Sequence, residues 1–201
     1  MVNEIVHILI KVMKEGIEMV ENIRKLLIDN NVKLNNGMTK EDIIKAEKFY
    51  NIQFPNDMKE MLMNFVPISE SFYNWNDYSE ENITKIKKMM EWPFEGIIFD
   101  IQENNFWLEE LGECPEKIDD RINKFRKYQT NIPKLIPLFA HRYVVSDRNI
   151  NYPIISVYQA DIIYYGKNIL EYFDIEFNHA NYIANIAEFK EIPFWSKIIN
   201  L

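Results

Sequence analysis

Residues Leu135–Gly166 read LIPLFAHRYVVSDRNINYPIISVYQADIIYYG, and this stretch decides the fold class. It is dense in apolar residues but has no helical period. Four runs stand out: Leu135–Leu138, His141–Val145, Ile154–Tyr158 and Ile162–Tyr165. β-Branched and aromatic side chains dominate each, as a pleated, half-buried surface requires. The breaks are turn-forming: Ser146-Asp147-Arg148-Asn149, Gln159-Ala160-Asp161 and Gly166-Lys167-Asn168. Links this short join antiparallel neighbours. The stretch therefore predicts a β-meander. Alternation along Ile154–Tyr158 puts Ile155 and Val157 on one face and Ile154, Ser156 and Tyr158 on the other.

Working outward, Val2–Asp29 carries a helical period through Ile5, Leu9, Val12, Val20, Ile23 and Leu27, with Gly16 as a point to kink or split it. Asn30–Gly37 reads as a polar link. Thr39 and Asp42 form a capping-box pattern that opens a helix to Tyr50, with Ile43, Ala46, Phe49 and Tyr50 facing inward. Ile52–Pro55 is extended, because the residue before proline avoids the helical region. A short helix follows through Phe65. Pro67–Tyr78 reads as irregular. Ser79 caps a helix predicted to end near Trp92-Pro93, and Gly96–Ile101 (GIIFDI) reads as a fifth strand. Glu116–Tyr128 reads as a helix opened by Pro115, Ile169–Phe177 as another, and Ile192–Trp195 as a segment that docks the C-terminus. The expected fold is α+β: a twisted antiparallel meander with helices on one face, in a single domain, with residues 1–36 as an N-terminal helical extension. Expected core anchors are Phe54, Phe99, Trp107, Ile136, Ile155, Val157, Ile163, Tyr165 and Phe173.

Composition narrows function. The 201 residues are 47% hydrophobic and carry a net charge of −8, which argues against gripping nucleic acid or anionic lipid. One cysteine, Cys114, leaves no internal disulfide framework and fits a reducing, cytoplasmic setting. No signal-peptide pattern opens the chain, and no uncharged run approaches the ~20 residues of a membrane span. Abundant Ile, Asn and Lys read as drift in an A/T-rich bacterial genome.

The motifs of catalysis are missing: no G-x-G-x-x-G, P-loop or nucleophile elbow occurs. His7, His141, His179 and Cys114 lack metal-ligand spacing. No cofactor or metal site is expected. His141-Arg142, with Asp161, is a candidate anionic-group cleft. The competing reading is a satisfied histidine beside an arginine paired with Asp161 or Glu171. Asp100, Asp147 and Asp161 read either as paired carboxylates or as turn-closing residues.

Charge patterning carries more information. Glu103–Asp120 holds seven carboxylates and one cation, and Arg121–Arg142 holds six cations and no carboxylate. Within the acidic run, Glu103, Glu109, Glu110, Glu113 and Glu116 are candidate partner-binding residues, with Trp107 packing inward. Their alternative role is solubility alone.

Several stretches, in order, resemble the SUKH superfamily, bacterial immunity proteins related to the yeast cell-wall-assembly regulator. They are Glu41-Asp42-Ile43 with Ala46-Glu47, Phe54-Pro55, Phe99-Asp100-Ile101 leading to Phe106-Trp107, and Leu111-Gly112-Glu113-Cys114-Pro115. Leu135-Ile136-Pro137, His141-Arg142, Pro153–Tyr158 and Asp161–Gly166 follow. Leu111 stands where the pattern has a tryptophan. The resemblance covers roughly residues 39–177. It implies a non-enzymatic α+β domain that binds and neutralises a cognate toxin, often a nuclease, by protein–protein contact. The alternative it implies is an intracellular regulatory or scaffold domain.

Overall fold

A computed structural model describes residues 2–179 and 189–199. Its elements are α1 (Val2–Asp29), β1 (Lys33–Asn36), α2 (Lys40–Tyr50), α3 (Asn56–Asn64), β2 (Phe65–Ile68), α4 (Glu80–Glu103), α5 (Ile118–Gln129), β3 (Leu135–Phe139), β4 (Arg142–Val145), β5 (Ile155–Tyr158), β6 (Asp161–Tyr164), α6 (Ile169–Asn178) and α7 (Trp195–Ile199). The fold is α+β. Strands β3-β4-β5-β6 form an antiparallel meander in chain order, with Pro137 on the edge strand, where a missing N–H is tolerated. Two-residue turns join β3 to β4 and β5 to β6, with Ala140 and Gln159 left-handed.

Helix starts follow local chemistry. Thr39 accepts from the Asp42 N–H at 3.1 Å and donates its own N–H to Asp42 at 3.0 Å. Ser79 caps α4, and Asn168 caps α6 by accepting the Glu171 N–H. α1 runs unbroken through Gly16, and its C-terminal half is part of the core: Val20, Ile23 and Leu27 are buried with α3 and α6.

Several expectations are corrected. Part of the segment read as a polar link pairs with Phe65–Ile68, which runs from the residue expected to end the short helix into the segment read as irregular, with register Lys33↔Ile68 to Asn36↔Phe65. Phe49 is 45% exposed, because the buried stripe of α2 is Ile43, Ala46, Glu47 and Tyr50, with Glu47 in the place expected of Phe49. α5 starts at Ile118, after Lys117, rather than at Pro115. The sheet is covered on both faces, not one. Ile136, Leu138, Val144 and Ile154 join a core with α1, α2, α3 and α6, whereas Leu135, Tyr143, Val145, Ile155 and Val157 join a second core with α4, α5 and α7. In β6 the buried residues are Ile162 and Tyr164, so Ile163 points outward at 46% exposure. Trp107 and Tyr165 are partly buried at the margins of the cores.

The largest correction is Gly96–Ile101, which is helix, not strand: α4 continues through Pro93 to Glu103. The run buries Phe94, Ile97, Ile98 and Ile101 along one helical face, which leaves Phe99 45% exposed. Proline has no N–H for the carbonyl four residues back. That carbonyl belongs to Met89, and the buried Tyr143 hydroxyl donates to it at 3.0 Å. Gly96 lies against the β5–β6 turn, where an added Cβ would sit 2.9 Å from the Gln159 Cα. One turn later, buried Asp100 accepts the Ala160 N–H at 2.7 Å. GIIFD is thus a seat for the hairpin.

A double-mutant cycle tests the proline bypass. Tyr143→Phe orphans the Met89 carbonyl and should cost about 1–3 kcal/mol by urea denaturation. In a Pro93→Ala background the new amide can supply that carbonyl, and the cost should fall by about 1 kcal/mol. Equal costs in both backgrounds would show that Tyr143 does not replace the missing helical bond.

Candidate functional site

The acidic run is built onto the second core. After α4, left-handed Asn105 turns the chain, and the Phe106 N–H returns to the Asp100 carbonyl at 3.0 Å. Leu108 and Leu111 are buried and anchor a single 3₁₀ turn, Glu109–Leu111. The Trp107 indole donates to the Gly112 carbonyl at 2.8 Å, and Gly112 is left-handed at φ 74°.

Cations of α5 hold this loop by its backbone. Arg121 Nε donates to the Pro115 carbonyl and Lys124 Nζ to the Glu113 carbonyl, each at 2.6 Å, while Lys124 also lies 5.7 Å from the Trp107 ring centre. The carboxylates themselves are left to solvent: Glu103, Glu109, Glu113 and Glu116 are exposed, with Asp119 and Asp120 beside them. None of the six enters an ion pair among the described residues. Glu110 departs from the expected pattern. Its side chain is only 14% exposed and it pairs with Lys197 of α7. That hydrogen bond raises the lysine's pKa. Glu110 therefore fastens the C-terminal helix rather than extending the acidic face.

The His141–Arg142–Asp161 cleft does not assemble as one site. Arg142 starts β4 and points into the first core. Its guanidinium lies 4.5 Å from the Tyr165 ring centre and 3.7 Å from Glu176 of α6. Glu176, not Asp161 or Glu171, is thus its carboxylate. Glu171 instead accepts the Lys167 N–H and completes the cap of α6. Asp161 is exposed at the start of β6, opposite Tyr158, whereas Arg142 registers with Ser156. His141 touches Arg142. Burial, and then the neighbouring guanidinium, lower its pKa, so the ring is neutral near neutral pH. It faces a shallow groove of about 500 Å³ with Tyr73, Lys85, Lys88, Trp92 and Tyr158.

The other carboxylates away from the surface are occupied with structure. Glu47 accepts the Phe54 N–H at 3.0 Å and pairs with Arg148 at 2.9 Å, which ties α2 to the β4–β5 loop. Asp57 accepts the Met58 N–H at 2.8 Å, and burial pushes its carboxyl up to about 6. Asp147 accepts the Asn149 N–H and closes its own loop. Among the described residues, no group of three or more His, Cys, Asp or Glu comes together as a metal site, and no helix is long and apolar enough to cross a membrane. Cys114 is free and exposed.

Sequence reading missed a cleft of about 650 Å³ between α2, α4, α5 and β3, because its cations come from separate elements. The signal available for it was the basic block Arg121–Arg142, which supplies Arg126 and Lys134. Comparison of the chain with protein-family models, curated proteins and solved structures finds no match.

Proposed function

We propose that this chain is a non-enzymatic protein-binding domain that docks on a basic, nuclease-type bacterial toxin and neutralises it by non-covalent contact. The observation that carries the reading is the construction of the acidic face. Arg121 and Lys124 grip backbone carbonyls, so Glu109, Glu113 and Glu116 stay exposed on a loop held by its backbone, with Glu103 exposed at the end of α4. Preordering lowers the entropy cost of association, and complementary charge speeds encounter with a cationic partner.

The test combines Glu109→Lys, Glu113→Lys and Glu116→Lys, with Glu110→Lys as a separate control. Against the toxin encoded beside its gene, the triple variant should associate about tenfold more slowly at low salt, with a flatter salt dependence. Its stability should change by no more than about 0.5 kcal/mol per substitution. Glu110→Lys should instead lower stability, because it sets a second cation against Lys197. An unchanged association rate for the triple variant would remove this face as the contact. If no neighbouring toxin is neutralised, the regulatory scaffold reading takes the place of immunity.

A further inference from the structure

The chain is strongly acidic, yet cations collect around one open cleft. Lys87 reaches it from α4, Arg126 from α5 and Lys134 from the segment before β3. Glu91 is the single carboxylate in the lining, so the lining carries a net charge of +2 within a chain of −8. Four other clefts each gather at most two cations.

These cations are only lightly engaged. Lys134 Nζ donates to the Asn51 carbonyl at 2.9 Å, and Lys87 Nζ lies 5.3 Å from the Phe49 ring centre. Neither pairs with a carboxylate among the described residues. Arg126 reaches Glu95 at 3.4 Å, with both side chains about half exposed. Such a contact is weak and readily exchanged. Glu91 is turned to Gln129, which donates to it at 3.4 Å.

Apart from Thr130, the remaining lining is apolar or aromatic. Phe94 and Leu135 are buried side chains of the second core, and Phe49 offers an exposed ring at the rim. Tyr50, also in the lining, has a buried hydroxyl with no hydrogen-bond partner among the described residues. A volume of about 650 Å³ lies within the range of small-molecule sites, which combine apolar walls with a few converging polar groups.

We infer that this cleft is a binding site for an aromatic phosphate monoester: a flat ring against Phe49, Phe94 and Leu135, with its dianion held by Lys87, Arg126 and Lys134. A dianion matches the +2 lining, and a guanidinium with two ammonium groups suits phosphate oxygens. The site is separate from the acidic face, and neither reading depends on the other.

The probe is 1-naphthyl phosphate, titrated into the full chain and followed through backbone amide shifts. Saturable shifts are expected at Phe49, at residues 87–94 and at residues 126–135. Inorganic phosphate and 1-naphthol, each carrying half of the chemistry, should bind at least about tenfold more weakly. Lys87→Gln combined with Lys134→Gln should weaken binding about tenfold, and Phe49→Ala should weaken it separately. Both changes fall on exposed groups, and an unchanged circular dichroism spectrum will confirm that the fold is kept. Absence of saturable shifts at the cleft overturns the site. Undiminished binding by the folded double variant overturns the role given to its cations.

Discussion

Trp195→Ala is expected to destabilise the chain by about 3–5 kcal/mol. Trp195 is fully buried, packs against Phe94 and Phe194, and donates its indole N–H to the Pro133 carbonyl at 3.0 Å. It opens α7, which packs on β6, and Ser196 beside it shares a 2.6 Å hydrogen bond with the Tyr164 hydroxyl. The substitution leaves a cavity in the second core and an unpaired carbonyl just ahead of β3. Urea denaturation should show a large fall in midpoint. Trp195→Phe keeps an aromatic ring but loses the N–H and part of the volume, and should recover part of the loss. A cost below about 1 kcal/mol for Trp195→Ala would mean that the C-terminal segment is not part of the core.

Ile155→Ala should cost about 2–5 kcal/mol, while Ile163→Ala should stay within about 0.5 kcal/mol. The two isoleucines lie on neighbouring strands and share local composition. Ile155 is fully buried among the side chains of the second core, whereas Ile163 is 46% exposed on the other face of β6. A one-residue slip in the β5–β6 register would exchange the buried and exposed sets of β6. The pair therefore reports the register Ile155↔Tyr164 and Ser156↔Ile163 directly. Equal losses at both positions would show that β6 is paired differently.

Elements whose signals are local were legible in the order of residues alone. Turn residues and β-branched runs specified the meander. The Thr39–Asp42 box and Ser79 specified two helix starts, because a cap is completed within three residues. Alternation placed Ile155 and Val157 on one buried face. The acidic run was legible too, because exposed charge needs no tertiary partner to be recognised.

The other features depend on folding, and the cause in each case is a partner distant in the chain. Gly96–Ile101 has the composition of a strand, but its isoleucines pack along one helical face. The helix survives Pro93 because Tyr143, 54 residues beyond Met89, fills the abandoned carbonyl. Gly96 is needed where the Gln159 backbone approaches, not to begin a strand. Glu110 leaves the acidic face because Lys197 lies 87 residues downstream in sequence but adjacent in space. Arg142 finds Glu176 in α6 rather than the carboxylates nearer the meander. The basic cleft exists only where α4, α5 and the approach to β3 converge, so spacing along the chain carries no trace of Lys87 and Lys134 lining one cleft.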